Sequence, residues 1–286
     1  MAQVIQFLSR NQKEFLNRQL ARAPKVYEAL LKKRKHLVFE KIVYLNLIKK
    51  GETILDIGAN RGLYTLLFSH LVGKFGQVYA FEPVPSTFKS TSLFLKKYQD
   101  YDNVTFQNLG MSETPGKSTI YLPNEDDGQA SMKKHDSGSW TQPETVKEIE
   151  IELTTLDQVV RIQGIQKIDF IKMDIEGAEL LALKGGRKTL TTLQPLVFME
   201  VNQKWTKDFE YHPSELILEF QSLGYDTFYS AEDKIEKIED LSPDSLNRLL
   251  SDSTNVLCAV HALHQKRLSR LVKNWTLPHF LTKIPR

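Results

Sequence analysis

The chain has 286 residues, of which 41% are apolar and 26% charged, and a formal net charge of +3. That length can bury a substantial core, the composition excludes a disordered or fibrous chain, and the near balance of charge gives no general affinity for nucleic acid or anionic membrane. A single cysteine, Cys258, rules out an intramolecular disulfide and points to a reducing compartment, the cytoplasm.

Residues 1–50 place apolar side chains at helical offsets, Phe15, Leu16 and Leu20, then Val38, Phe39, Ile42, Val43 and Leu45, and read as two or three helices. Gln3 and Gln6 interrupt the first apolar residues, so no secretion signal is expected, and no apolar run reaches the roughly 20 residues of a membrane span. The sequons at Asn103 and Asn274 carry no weight without a secretory route. The run Lys32-Lys33-Arg34-Lys35 reads as a solvated helix face.

From Gly51 the texture changes. Apolar runs alternate with amphipathic stretches: strand 53–57, helix 62–72, strand 78–82, helix 84–98 and strand 104–107. The rhythm resumes with strand 168–173, helix 176–193, strand 196–201, helix 214–223 and strands 225–229 and 256–262. Seven strands alternating with helices predict a doubly wound α/β sheet. The polar segment 124–143 between the two halves is either a functional lid or disordered. Residues 263–286 form a basic tail with Lys266, Arg267, Arg270, Lys273, Lys283 and Arg286, a surface for an anionic partner or simply a solvated helix face. The expected division is a helical extension over 1–50, a cofactor-binding domain over 51–262 and the tail.

The first strand runs through Asp56 into a loop holding Gly58, Asn60 and Gly62, and a helix follows. Glycines there allow a cofactor close to the backbone, and the helix start presents unpaired N–H groups. A dinucleotide fingerprint, counted from Gly58, would need glycines where Asn60 and Leu63 stand, and a phosphate loop would need Gly-Lys-Ser/Thr where Leu63-Tyr64-Thr65 stands. Both are excluded. Gly110 to Ser118 imitates a phosphate loop with one residue too many and Pro115 where an N–H is required, so it reads as a turn into a short strand at Thr119–Leu122. The second strand ends in Glu82, 26 residues after Asp56. An acid at that place can accept both hydroxyls of a ribose; otherwise it is a solvated strand-terminal acid.

Asp56-Ile-Gly-Ala-Asn60-Arg-Gly62, Phe81-Glu82-Pro83 and Lys172-Met-Asp174-Ile-Glu176-Gly177-Ala-Glu179, in that order, resemble the FkbM family of S-adenosylmethionine-dependent methyltransferases. The resemblance covers about residues 38–229. It implies a seven-stranded Rossmann-like (class I) methyltransferase fold, S-adenosyl-L-methionine as cofactor, and O-methylation of a hydroxyl on a sugar, glycoside or polyketide-type metabolite. Candidate cofactor contacts are Asp56, Gly58, Asn60, Gly62, Tyr64, Glu82, Pro83, Asn108 and Asp174. Asn108 lies where an adenine would be bordered, or simply starts a turn.

An alcohol acceptor must be aligned with the methyl group and lose its proton. Asp174, at the C-terminal end of its strand, is the first candidate for base or acceptor-orienting carboxylate, with a structural role as the alternative; Glu200 and His212 follow, and His135 is a further imidazole. Glu176 and Glu179 fall three apart near a helix start, where acids also serve as caps. Asp174, Glu200 and Asn202 could together hold Mg²⁺, although no metal ligand is assigned. Trp140 and Trp205 would either stack on a sugar or pack inward. The expected partner is a small-molecule hydroxyl acceptor, with no nucleic acid and no membrane span; a homo-oligomer is compatible with the sequence. A nucleic-acid base N-methyltransferase is disfavoured, because Asp174-Ile-Glu176-Gly177 replaces the Asn/Asp-Pro-Pro-aromatic run such enzymes carry. A cofactor-binding adaptor without activity is the non-enzymatic alternative.

Overall fold

The computed structural model describes residues 20, 23, 26, 39–124, 127–135, 140, 145–231, 235–251 and 253–275. Most of the expected N-terminal extension, the run 32–35 and residues 276–286 of the basic tail lie outside them. Helix α1 (Phe39–Leu47) leads into β1 (Thr53–Ile57), α2 (Leu63–Val72), β2 (Gln77–Phe81), α3 (Pro85–Tyr98) and β3 (Val104–Gln107). β1 and β2 are short runs buried mainly on both faces, as parallel strands covered by helices require, whereas β3 at the sheet edge is half-buried. Pro85 opens α3 at the position where its missing N–H costs nothing.

The second half supplies β7 (Phe170–Met173), α5 (Glu179–Lys184), α6 (Arg187–Leu193), β8 (Leu196–Val201), α7 (Gln203–Asp208), α8 (Ser214–Ser222), β9 (Thr227–Ala231), β10 (Ile235–Lys237), α9 (Pro243–Leu249), β11 (Thr254–Ala259) and α10 (His261–Trp275). The main sheet has eight strands in the order β10-β9-β11-β8-β7-β1-β2-β3. Strands β3, β2, β1, β7 and β8 are parallel to one another, whereas β11 lies antiparallel between β8 and β9. The fold is therefore α/β as expected, but the sheet is mixed and eight-stranded, because the polar insertion before the last strand adds β10 to its edge.

A second sheet was not expected. Strands β4 (Gly110–Met111), β5 (Gly116–Pro123) and β6 (Val146–Thr154) form it, and α4 (Leu156–Gln163) follows with Thr155 Oγ1 accepting the Gln158 N–H at 3.1 Å. The Gly110–Ser118 segment is β4, the turn over 112–115 and the start of β5, not a phosphate loop. The helix expected over 176–193 is also corrected. Glu176 and Gly177 take left-handed φ of 53° and 99°, which ends the loop after β7, and the adjacent glycines Gly185 and Gly186 separate α5 from α6.

Alternation along the strands sorts the core into two layers. Ile54, Phe170 and Phe198 face a cluster with Tyr44 of α1, Leu66 and Phe68 of α2, and Leu268 and Leu271 of α10, while Ile57, Met173 and Met199 face Leu183, Ile217 and Phe220. Asp56, Lys172 and Glu200 share the parity of the first set, so all three stand on the α1–α2 face. The described part of the basic tail belongs to α10, which packs on α1. Its Arg267 turns inward to Glu52 at 3.0 Å and to the Leu47 carbonyl. Asn103, of the first sequon, is buried with its amide on the Ser69 and Gly73 carbonyls. Cys258 is a fully buried core residue in β11.

Candidate active site

The site forms at the C-terminal ends of β1, β2 and β7. Gly58, with φ of 82°, crosses so close to the end of β7 that a Cβ there would lie 1.9 Å from the Asp174 carbonyl oxygen. The Gly58 and Ala59 N–H groups donate to the Phe81 carbonyl, which fixes the loop against β2. Asn60 adopts φ of 47°, a conformation asparagine tolerates, and donates its backbone N–H to Glu82 Oε2 at 2.8 Å. Glu82 Oε1 accepts the Val84 N–H at 2.9 Å, so the carboxylate is clamped between two backbone groups.

Gly58, Asn60, Glu82, Pro83 and Asp174 line one pocket of about 660 Å³, counting space open to solvent. Its opposite wall comes from the second sheet, with Met111, Ile120 and Ile151, and from the polar segment, with Gly128, Ala130 and Met132. That segment is tied down where it is described: Ser131 Oγ donates to the Glu176 carbonyl at 2.9 Å, and Trp140 Nε1 to the Gln129 carbonyl at 3.2 Å.

Beside the pocket lies an acidic crevice lined by Asp174, Glu176, Glu179 and Glu200 with Asn202 and Trp205. Loss of water and the neighbouring carboxylates act on its three glutamates. Burial, then Asp174 and Glu200, pushes the Glu176 carboxyl up to about 10. Burial, then the neighbouring Asp174, pushes Glu200 up to about 7, while Ser253 Oγ donates to its Oε1 at 3.0 Å. Burial pushes Glu179 up to about 7; its Oε1 accepts the Ile175 N–H at 3.1 Å and its Oε2 the Tyr211 hydroxyl at 3.3 Å, so it braces the loop after β7.

Other expected residues stand elsewhere. Asp56 is fully buried beneath the loop, with Thr65 Oγ1 donating to its Oδ2 at 2.6 Å. Gly62 packs α2 against α3, where a Cβ would meet Thr91 Cγ2 at 2.7 Å. Tyr64, two residues further on, does not line the pocket; its hydroxyl hydrogen-bonds Glu40 of α1 and its ring lies 5.9 Å from Lys172 Nζ. Asn108 spends its amide N–H groups on the Glu82 and Pro83 carbonyls, at 2.7 and 2.9 Å, and so holds the β2 end from behind. His212 is not brought to the crevice: its N–H donates to Glu215 Oε1 and its Nδ1 accepts the Ser214 N–H at 3.1 Å, a reciprocal cap on α8. His135 is buried edge-on against Trp140 and Trp205 and pairs with Asp208, so both tryptophans pack inward on it. Among the described residues no group of three or more His, Cys, Asp or Glu is placed to hold a metal ion, and Asn202 Oδ1 caps α7 through the Lys204 N–H.

The residue the sequence reading passed over is Lys172. Its ammonium lies inside the site, 2.8 Å from the Gly58 carbonyl and 3.2 Å from Asp174 Oδ2. A lysine in the middle of an apolar buried strand was the signal.

The sequence model of the methyltransferase FkbM domain matches residues 56–227, more than half of the chain. The chain belongs to the FkbM methyltransferase family. Curated relatives include the 2-O-methyltransferase NoeI of Sinorhizobium fredii, 33% identical over 165 residues that cover 54% of this chain and 65% of the relative. The 31-O-demethyl-FK506 methyltransferase FkbM of Streptomyces tacrolimicus is 24% identical over 158 residues, covering 48% and 60%. The chain thus spans less than two thirds of the length of either relative. A crystal structure of methyltransferase FkbM from Methylobacillus flagellatus aligns with a TM-score of 0.45 at 19% identity, over 72% of this chain and 43% of that one.

The cofactor of the FkbM family, S-adenosyl-L-methionine, suits the residues present. The Gly58 crossing leaves no Cβ between backbone and pocket, Glu82 offers a carboxylate for sugar hydroxyls, and Met111, Ile120 and Ile151 form an apolar wall for a flat ring. The acidic crevice adjoining them suits a cationic sulfonium.

Proposed function

We propose that the chain is an S-adenosylmethionine-dependent O-methyltransferase whose acceptor is a hydroxyl of a small molecule of the sugar, glycoside or polyketide type. The observation that carries this reading is the position of Asp174, which borders both the cofactor pocket and the acidic crevice. The cofactor, when bound, supplies an already activated methyl group. The chain's own residues then bind, orient and move one proton.

Glu82 and the Asn60–Gly62 loop take the nucleoside end, and Asp174 orients the acceptor hydroxyl and accepts its proton. Glu200, titrating near neutral pH beside Asp174, is the group to receive that proton in turn. The described part of 124–143 serves as a lid that keeps water from the pocket. Two relatives named for methyl transfer to oxygen support the O-methyl assignment. We read the eight-stranded sheet as the seven-stranded doubly wound class I core with β10 added, a reading supported by the central order β3-β2-β1-β7-β8 and the antiparallel β11. No helix among the described residues is long and apolar enough to cross a membrane, and the buried, solitary Cys258 supports a cytoplasmic location.

Incubation with methyl-labelled S-adenosylmethionine and a panel of glycosides and polyketide alcohols, read by mass spectrometry and NMR, tests this. A methyl ether is expected. Methylation only at nitrogen, or no transfer across the panel, overturns the reading.

A further inference from the structure

Lys172 has no place in the reaction as drawn above, yet its surroundings are those of a working group. Its side chain is 4% exposed in a strand whose other described residues, Phe170, Ile171 and Met173, are apolar. Taking an ammonium out of water costs several kcal/mol, and an apolar residue of similar volume would fill the same space without that cost. The ammonium offers three N–H groups and meets three acceptors: the Gly58 carbonyl at 2.8 Å, Asp174 Oδ2 at 3.2 Å and Asp56 Oδ1 at 3.7 Å.

The three are not equivalent. Asp56 is locked from behind by Thr65, and its Oδ1 makes only the long ion pair with Lys172, so it anchors the charge from below. The two shorter contacts go to the two chains that cross at the site, the Gly58 loop and the end of β7. Burial alone would pull the ammonium down, but Asp174 and then Asp56 more than offset this and leave it raised, hence charged at working pH. On the crevice side Asp174 is met by Glu176 and Glu200, whose carboxyls hold their protons more tightly beside it. Lys172 meets its carboxylate with the opposite charge.

We propose that Lys172 is a positioning residue, a buried ammonium that holds the Asp174 carboxylate in its reactive orientation. The proposal rests on the methyl-transfer reading. Lys172 acts through Asp174 and does not touch the acceptor.

The test is a double-mutant cycle with Lys172→Met, Asp174→Asn and the double variant, using the acceptor found in the panel assay. For Lys172→Met, kcat is expected to fall on the order of 10²-fold, as misplacing a reacting group by about 1 Å does. Its KM for the acceptor and calorimetric Kd for S-adenosylmethionine should stay within about threefold of wild type. In the Asp174→Asn background, Lys172→Met should change kcat by less than about twofold, because a residue acting through another has nothing left to act on. Effects on kcat that multiply, or a loss of cofactor binding that accounts for the loss of rate, overturn the proposal. If Lys172→Met does not fold, Lys172→Met/Asp56→Asn removes the buried charges together and is compared in the same two backgrounds, with the same outcomes. A wild-type protein that methylates no hydroxyl overturns both readings; one that methylates but shows multiplying effects overturns only this one.

Discussion

Gly58 and Asp174 approach so closely that each constrains the other. Gly58→Ala puts a methyl group against the Asp174 carbonyl at a left-handed φ, and should lower stability by more than about 2 kcal/mol in urea unfolding and abolish cofactor binding. Asp174→Asn keeps the shape but removes the proton acceptor; kcat should fall about 10² to 10⁴-fold with cofactor affinity retained, measured by single-turnover assay and calorimetry. Glu179 offers a test by pH. Burial holds it at about 7 in the folded protein, against about 4.5 when unfolded, so the folded state keeps a proton that the unfolded chain has released. Its contribution to stability is therefore complete below about pH 4.5 and is lost as pH rises through about 7. Glu179→Gln should flatten that part of the melting-temperature profile, most clearly between pH 5 and 7.

Among the elements, the second sheet and the segment after it decide how the pocket closes. β5 pairs with β6 along its whole length, from Gly116 with Leu153 to Pro123 with Val146, and the two carry Ile120 and Ile151 to the pocket wall. His135, Trp140 and Trp205 pack around one another, joining the segment to α7, and Ser131 fastens it to the Glu176 turn. Trp205→Ala opens a cavity at that junction. It should speed hydrogen exchange over 127–135 and raise the cofactor Kd about tenfold, while leaving exchange in β1 and β7 unchanged.

For the whole molecule, the decisive prediction concerns ligand linkage. A ligand that binds only the native state stabilises it by about 2.7 kcal/mol at 100 times its Kd. S-adenosylmethionine should therefore raise the melting temperature by several degrees, whereas NAD and ATP, whose glycine signatures the β1 loop lacks, should not. Two apolar layers sandwich the main sheet, and α1 and α10 belong to the same layer as α2 and α3. Residues on both sides of the expected domain limits at 51 and 262 thus share one core, and truncation within α1 or α10 should cost stability as well as length.

The sequence by itself determined the local order: β1 with its glycine loop, Glu82 at the end of β2, the exact runs of β3 and β8, and Asp174 at a strand end. These are legible because a buried parallel strand must be continuously apolar, so an acid or glycine at its end stands out against the run. The family resemblance, resting on the same residues, pointed to the family that the chain matches. The hairpin of the second sheet was also written in the sequence, in the alternation of Ile149, Ile151 and Leu153 with acids, but alternation only becomes a wall when a facing strand is present.

Only the tertiary structure decided the rest. It turned His212 away from the crevice, set Tyr64 against Glu40 and Lys172 and Asn108 behind β2, and broke the long helix at Gly185. It also brought Lys172 to Asp56 and Asp174, residues 116 and 2 positions away along the chain. A side chain's role depends on which face its strand presents and on what charge waits there. Parity fixes the face within one strand, but the partner across it is set by pairing between strands far apart in sequence, and no local pattern encodes that.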